Sequence, residues 1–150
     1  MVRTKNVKYY SNYYFRVFHP TFFGGVTVLT PEQMKRINGF SNSYWGWGLE
    51  DDDISIRILA KGYNIIKYPE TISRYTTITH VRDRGNPVNN CMQKILQRTK
   101  RIPSWDGLSN LKYKLIASRK EHLFSHVLID PLPHLHVWNI KKICGRLATL

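Results

Sequence analysis

Four consecutive carboxylates follow directly after a segment rich in glycine and tryptophan. Residues Glu50–Asp53 hold four of the ten acidic residues in a chain that has 23 lysines and arginines. A carboxylate accepts hydrogen bonds from hydroxyl groups, and one that touches a reacting hydroxyl can remove its proton as a general base. Concentrating these groups at one place on a chain of net charge +13 predicts a binding or catalytic site.

The residues before the acidic run supply flat apolar surfaces. Trp45 and Trp47 are separated by Gly46, and Gly48 follows. The face of an indole ring suits the C–H face of a pyranose, and glycines allow a loop to bend and close like a lid. Aromatic rings beside carboxylates are typical of carbohydrate sites. The alternative, which stays open at this point, is that the tryptophans are core residues and the carboxylates only cap a helix.

The elements that position this run are predicted from caps and apolar spacing. The aromatic and β-branched segment Thr21–Thr30 predicts a buried strand, with a bulge or a close approach at its two glycines. A short helix follows, with Thr30 as N-cap, Pro31 in its first position and Gln33 completing a capping box. Asn38-Gly39 is expected to end this helix.

A second helix is predicted to begin at Glu50–Asp53, where negative charge complements the helix dipole and favours the ionised carboxylates. Its buried face is predicted to hold Ile56, Leu59, Ala60 and Tyr63, and Gly62 is expected to end it. The remaining predicted elements are strands over Tyr63–Tyr68, Ser73–Thr79, Leu111–Ser118 and Phe124–Ile129, and a helix over Asn90–Lys100.

Length and charge narrow the classes of protein. The 150 residues fit one domain with a real core, and no stretch approaches the roughly 20 apolar residues of a membrane span. Met1–Tyr14 is basic but lacks the apolar part of a signal peptide, so we expect any targeting segment outside this chain. The charge suits anions generally, including a sugar nucleotide or a phospholipid surface. We do not expect nucleic-acid binding, because no DNA- or RNA-binding signature accompanies it.

Several other side chains have two readings. Cys91 and Cys144 could pair or stay free. His122 and His126 are expected to be surface or strand residues rather than metal ligands, and His134 and His136 are expected in a loop. Trp105 is expected in packing. Lys141-Lys142 with Ile140 could touch a membrane surface or belong to a tail that packs on the domain.

Three segments together resemble the signature of the β-1,4-galactosyltransferases. Phe23–Val26, Ile37–Asn42 and Tyr44–Asp53 match, in order and spacing, a Phe-Gly-Gly-Val strand, an Ile-Asn-Gly-Phe-x-Asn segment and a Trp-Gly-Trp-Gly-Gly-Glu-Asp-Asp-Asp loop. His80 with Arg82-Asp83 is similar to the family's metal-binding region, and Asp106–Tyr113 to its Asp-Gly-Leu segment. The resemblance covers about Phe22 to Asp130.

This resemblance implies an α/β fold, the C-terminal part of a Rossmann-like glycosyltransferase domain of the nucleotide-diphospho-sugar transferase type, with a mixed sheet and flanking helices. The implied organisation is an N-terminal extension or remnant of an upstream half (1–20), the galactosyltransferase C-terminal domain (21–130) and a tail (131–150). It implies a UDP-sugar donor and a glycan acceptor, a Golgi-lumen location and a membrane-anchored full-length parent.

The resemblance also implies roles for single residues. Asp51 would be the base on the acceptor hydroxyl, and an inverting single displacement would follow. His80 would ligate Mn²⁺, which offsets charge on the departing nucleoside diphosphate. The implied acceptor-binding residues are Trp47, Gly48, Glu50 and Asp52. The implied donor-binding residues are Phe22, Gly25 and Trp47.

The sequence departs from the family pattern at four places. Leu49 replaces a glycine, which predicts a stiffer lid or altered closure. Thr77 replaces a methionine ligand three residues before His80, which predicts a different metal affinity or preference. Phe22 replaces a tyrosine of the donor pocket, so galactose is still favoured. Met92-Gln93 falls about where the family has Arg-Phe, which leaves acceptor identity open.

Met1–Thr21 contains no Asp-x-Asp metal motif and no acidic residue. The family has this motif upstream of the Phe-Gly-Gly strand, so we expect a partial catalytic domain that does not turn over alone. The alternative function is a non-catalytic basic domain that binds carbohydrate or nucleic acid.

Overall fold

The fold is described from a computed structural model of the chain. It describes residues 6–10, 21–69, 71–72, 81 and 83–145, with the backbone alone for 6–10 and 137–139. The predicted strand Ser73–Thr79, the proposed metal ligand His80, and Thr77 and Arg82 lie outside the described residues.

A three-stranded mixed sheet forms one part of the molecule. Its strands are β1 (Asn6–Tyr10), β2 (Val26–Val28) and β3 (Asn64–Lys67). The central strand β1 pairs antiparallel with β2 and parallel with β3. The predicted strand Thr21–Thr30 is therefore much too long: only three residues pair, because Gly25 turns the chain with a φ of 85° immediately before them.

The capping prediction for α1 (Pro31–Arg36) is confirmed. Thr30 Oγ1 accepts a hydrogen bond from the Gln33 amide at 3.2 Å, and Gln33 Oε1 accepts one from the Thr30 amide at 2.8 Å. Asn38 and Gly39 then leave the helix with φ values of 64° and 66°. The helix start and stop are fixed by these local bonds and conformations.

Helix α2 (Glu50–Ala60) begins where predicted, but the prediction of its buried face is wrong for Leu59 and Ala60. Tyr63 packs against the core as predicted. Ile54 and Ile58, four residues apart, are fully buried and pack with Phe23 and Ile37. Leu59 is 42% exposed, and Ala60 is exposed as well. The helix turns a different face inward from the one predicted, because it also buries the polar pair Asp53 and Arg57. An apolar pattern alone does not reveal this pair.

The rest of the chain forms α3 (Met92–Arg101), a 3₁₀ turn (Leu108–Asn110), the hairpin strands β4 (Lys114–Lys120) and β5 (Ser125–Asp130), and α4 (Pro133–Cys144). The predicted helix Asn90–Lys100 and both predicted hairpin strands are confirmed to within a few residues. Strands β4 and β5 pair antiparallel with an irregularity between Leu115 and Ala117. His126 lies on the exposed strand β5, as predicted.

A disulfide joins Cys91, at the start of α3, to Cys144, at the end of α4. It lies in a second buried cluster with Ile95 and Ile140, against which Trp105 packs as predicted. The burial of Ile140 favours packing of this segment on the domain over contact with a membrane.

The prediction that His134 and His136 lie in a loop is wrong. Both belong to α4, and His136 is buried. Pro133 suits the first turn of a helix, where its missing N–H has no partner to lose. None of the described helices is long and apolar enough to span a membrane.

Candidate active site

The loop before α2 is anchored through its backbone. The Trp47 amide donates to the Pro87 carbonyl at 2.9 Å, and the Asn89 amide donates to the Trp47 carbonyl at 3.3 Å. Gly46 and Gly48 have φ values of 87° and 124°. A Cβ on Gly46 would lie 2.6 Å from the Pro87 oxygen, and a Cβ on Gly48 would lie 2.7 Å from the Met92 sulfur. The close packing of the loop against 87–92 therefore requires glycine at both positions.

The two tryptophans of the loop have different environments. Trp47 is 55% exposed, which leaves much of its surface available for a ligand. Trp45 packs against the disulfide cluster and donates from Nε1 to the Asn42 carbonyl at 3.1 Å. Trp47 therefore fits the predicted platform, whereas the core alternative holds for Trp45.

Leu49 is the N-cap of α2 and has a φ of 66°. This left-handed conformation costs a residue with a Cβ about 1–2 kcal/mol, whereas glycine adopts it freely. Leu49 therefore replaces the family's glycine at a position whose backbone conformation favours glycine. This is the replacement that we predicted to stiffen the lid.

Asp51 and Phe22 meet at the same buried glycine. A Cβ built on Gly24 would overlap both Asp51 Oδ2 and the ring of Phe22. The absence of a side chain at Gly24 therefore lets the predicted base and the predicted donor-site aromatic approach each other. Gly25, beside them, is exposed and has open space around it.

Burial raises the pKa of the half-buried Asp51 carboxyl, and the charges of Glu50 and Asp52 raise it further. Hydrogen bonds from the backbone, including that from the Asp52 amide to Asp51 Oδ1 at 3.0 Å, lower the pKa but do not reverse the shift. The ionised form of Asp51 is therefore less favoured than that of an ordinary aspartate, opposite to the effect expected from the helix start. Desolvation and like charges outweigh the dipole. A carboxylate with a raised pKa is a stronger base once it is ionised.

The other predicted acceptor residues lie around Asp51. Glu50 is exposed, and its Oε2 accepts from the Gly48 amide at 3.2 Å, which ties the loop to the helix start. Asp52 is half-buried on the same turn. Glu50 and Asp52 thus lie close enough to Asp51 to raise its pKa, and Gly48 is tied to Glu50 by a hydrogen bond. Trp47 precedes them in the loop and is anchored to 87–89.

The fourth carboxylate, Asp53, is a structural residue. It is 1% exposed and accepts from Arg57 Nε at 2.6 Å and from the Tyr44 hydroxyl at 3.1 Å. Burial raises the pKa of Asp53, while the Arg57 charge and hydrogen bonds from Thr99, Arg57 and Tyr44 act in the opposite direction. The desolvated Tyr44 phenol beside this carboxylate has a raised pKa and stays a donor.

Arg57 also pairs with Asp106, a partner that the sequence analysis did not predict. Arg57 Nη2 donates to Asp106 Oδ1 at 2.7 Å with both side chains buried. The other oxygen, Oδ2, accepts from Ser41, Ser43 and the Asn42 amide at 2.7–3.1 Å. The Asp53–Arg57 spacing of four residues could have indicated the first pair.

A cavity of about 490 Å³ lies between residues 41–45 of this loop segment, residues 111–113 and residues of β5 and α4. Its lining includes Asn42, Tyr44, Trp45, Tyr113 and His136. The ring centroids of Trp45 and His136 are 6.2 Å apart. Asp51 does not line this cavity, so the cavity is not the predicted catalytic centre.

The described residues do not form a metal site. No group of three or more His, Cys, Asp or Glu side chains in that part of the chain could hold a metal ion. The proposed ligand His80 lies outside it, so the described residues do not test the predicted Mn²⁺ site.

Comparison with known proteins identifies close sequence relatives. The family profile described as the N-terminal domain of galactosyltransferase matches residues 5–81. Over 116 residues the chain is 40% identical to β-1,4-galactosyltransferase 4 of Rattus norvegicus. The matched segment covers 77% of this chain and 34% of that protein. The chain thus spans about a third of the length of that curated relative.

Solved structures give the same result. The catalytic domain of Drosophila β-1,4-galactosyltransferase 7 in complex with xylobiose matches with a TM-score of 0.55 and 29% identity. A mutant of that enzyme in complex with manganese, UDP-Gal and xylobiose matches with a TM-score of 0.56 and 30% identity. Each match covers 74% of this chain and 50% of the solved chain. The predicted α/β glycosyltransferase fold class is confirmed.

Proposed function

This chain belongs to the β-1,4-galactosyltransferase family, and we propose that it carries the acceptor side of a galactosyltransferase site. The reaction is transfer of galactose from UDP-galactose to a terminal GlcNAc or related sugar, with inversion at the anomeric carbon. The observation that carries this proposal is the meeting of Asp51 and Phe22 at Gly24, beside the Trp47 loop.

Asp51 acts as the general base. Its carboxylate takes the proton from the acceptor hydroxyl while that oxygen bonds to the anomeric carbon and the bond to UDP breaks. A single displacement of this kind inverts configuration, because attack and departure occur on opposite faces. The raised pKa of Asp51 supports the role, since a base is most effective when its pKa lies close to the operating pH.

The acceptor sugar lies on Trp47 and hydrogen-bonds to the neighbouring polar groups. The exposed indole covers the apolar face of the ring, while Glu50, Asp52 and the backbone of Gly48 orient its hydroxyls. The Glu50–Gly48 hydrogen bond supports this arrangement, because it fixes the loop relative to the helix that carries Asp51.

The donor contacts Phe22, Gly25 and Trp47, and Mn²⁺ binds through His80 in our proposal. The Drosophila relative solved with manganese and UDP-Gal supports the choice of metal and donor. When bound, the metal supplies positive charge near the departing diphosphate. The same proposal locates this chain in the Golgi lumen and assigns it to the C-terminal half of the catalytic domain. Both assignments rest on the family resemblance.

Because we expect this chain not to turn over alone, the test is a radiolabel assay of the full-length protein with UDP-galactose, Mn²⁺ and GlcNAc, paired with calorimetric titration of GlcNAc. Asp51→Asn should abolish most transfer while GlcNAc binding persists, and Glu32→Gln, an exposed carboxylate of α1, should leave both unchanged. Transfer that survives Asp51→Asn removes the base assignment. Binding of GlcNAc without transfer by the full-length protein favours a carbohydrate-binding domain instead. Robust transfer by this chain alone would contradict the expectation of a partial catalytic domain.

A further inference from the structure

One side of helix α3 carries a row of cations, here called the α3 row. It consists of Lys94, Arg98 and Arg101, which follow one another at intervals of four and three residues and are all exposed. Residues at this spacing lie on the same side of a helix. Ile95 and Leu96 on the other side of α3 are buried in the domain, so the row faces solvent.

The charge of the α3 row is not offset by nearby carboxylates. The segment 84–105 contains no aspartate or glutamate, and α4, which the disulfide joins to the start of α3, contains none either. In the part of the chain that the structure describes, no carboxylate forms an ion pair with the row. The cations of β4 differ, since Arg119 pairs with Glu121 at 2.6 Å and Lys114 lies opposite Asp130.

The helix dipole accounts for only part of the α3 row. Cations in the last turn of a helix interact favourably with the negative end of the dipole, which suits Arg98 and Arg101. Lys94 lies in the first turn, where a carboxylate is favoured and a cation is not. Stabilisation of the helix therefore does not explain why the row extends to Lys94, whereas an external anion along the whole helix does.

A tryptophan holds the middle cation of the row in place. The Arg98 guanidinium carbon lies 4.8 Å from the centre of the Trp105 ring, in a cation–π contact. Trp105 is fixed in turn, because its Nε1 donates to Thr99 Oγ1 at 3.0 Å. An arginine stacked in this way keeps its planar fork of N–H donors for a bidentate oxyanion. Because the side chain is already ordered, binding an anion there costs less conformational entropy.

We propose that the α3 row is a docking surface for a sulfated polysaccharide. Anionic groups repeated along a polysaccharide match cations repeated along a helix, and sulfate oxygens accept hydrogen bonds from all three side chains. The net charge of +13 attracts such a polyanion from a distance. The choice of a polysaccharide over a nucleic acid rests on the luminal location in the proposed function, but the surface itself does not depend on transferase activity.

The experiment measures the affinity of the full-length protein for heparin at physiological ionic strength. Replacing the whole row, Lys94→Gln with Arg98→Gln and Arg101→Gln, should weaken binding at least about tenfold. The matched control removes the same number of charges from exposed lysines elsewhere, through Lys35→Gln, Lys61→Gln and Lys114→Gln. It should weaken binding by less than about threefold, because those lysines contribute only to the general attraction.

Further arms separate docking on the row from attraction by net charge. Arg98→Lys, which keeps the charge but loses the planar fork, should weaken heparin binding about threefold. Hyaluronan, which carries carboxylates but no sulfate, should bind at least about tenfold more weakly than heparin. Equal losses in the row and control variants would overturn the proposal, because net charge alone would then account for binding. Tighter binding to a DNA duplex than to heparin would also overturn it, in favour of a nucleic acid.

Discussion

Arg57 Nε donates to the Asp53 carboxylate at 2.6 Å in the interior of the molecule, and the two side chains are at most 1% exposed. Its guanidinium also reaches Asp106, which holds the segment 41–43 that leads into the acceptor loop. The network therefore links helix α2 to the segment that leads into that loop.

Arg57→Met should destabilise the fold strongly, because Asp53 and Asp106 would remain buried without their cation. Removing one partner of a buried ion pair costs about 3–5 kcal/mol. Urea unfolding measures the change, and Arg101→Met, at an exposed position, is the control. Adding Asp53→Asn to Arg57→Met should recover part of the loss, and a mild effect of Arg57→Met alone would contradict the network.

The acidic limb of transfer should lie above the ordinary range of an aspartate. Asp51 must be ionised to act as base, so kcat/KM should fall as the pH drops through its raised pKa. An unperturbed aspartate would titrate near about 3.9. A pH profile of kcat/KM in the full-length, metal-loaded protein measures the limb, and a limb at the unperturbed value would contradict the shift.

The same shift predicts that Asp51→Asn stabilises the fold at neutral pH. A carboxyl whose pKa is higher in the folded state contributes stability below its unfolded pKa and loses that contribution as the pH rises through its folded pKa. At pH 7 the ionised Asp51 is therefore unfavourable to folding. Urea unfolding of Asp51→Asn at pH 7 and pH 4 should show a gain that shrinks at the lower pH, and equal gains at both would contradict the linkage.

Gly24→Ala should reduce transfer more than stability. The added Cβ overlaps Asp51 Oδ2 and the Phe22 ring, so the base must move. Gly62→Ala is the matched control: that glycine has open space and a φ of 73°, so its substitution should cost stability without affecting transfer. Equal transfer by Gly24→Ala and the unmodified protein would show that Asp51 tolerates displacement.

Replacing both Cys91 and Cys144 with alanine should lower the free energy of unfolding by roughly 4 kcal/mol, from the chain entropy of a loop of that length. The two cysteines are 53 residues apart. Thermal unfolding with and without reductant measures the effect: reductant should lower the Tm of the unmodified protein and leave the alanine variant unchanged. If reductant also lowered the Tm of the alanine variant, the disulfide would not be the cause of the change.

Local features of this chain were predictable from sequence, and distant partners were not. The capping box of Thr30 and Gln33 spans three residues, so both its members and their spacing are visible in the sequence. The Arg57–Asp106 pair joins residues 49 apart, and no local pattern indicates it. The buried face of α2 was misread for a related reason, since a buried arginine changes which side of the helix faces inward.

The candidate site divides in the same way. The run Glu50–Asp53 indicated a carboxylate site, but only the fold separates Asp51, beside Gly24, from Asp53, which is committed to Arg57. The metal prediction at His80 stays a prediction, because that residue lies outside the described chain.

The disulfide couples the acceptor loop to the redox state of its surroundings. The Cys91 amide donates to Asn89 Oδ1 at 2.8 Å, and Asn89 is hydrogen-bonded in turn to the backbone of Trp47. Structural disulfides persist in oxidising compartments and are rare in the reducing cytosol. The hydrogen bonds that anchor Trp47 therefore lie next to a disulfide, and we expect the loop that carries Trp47 to be less rigidly held when the two cysteines are reduced.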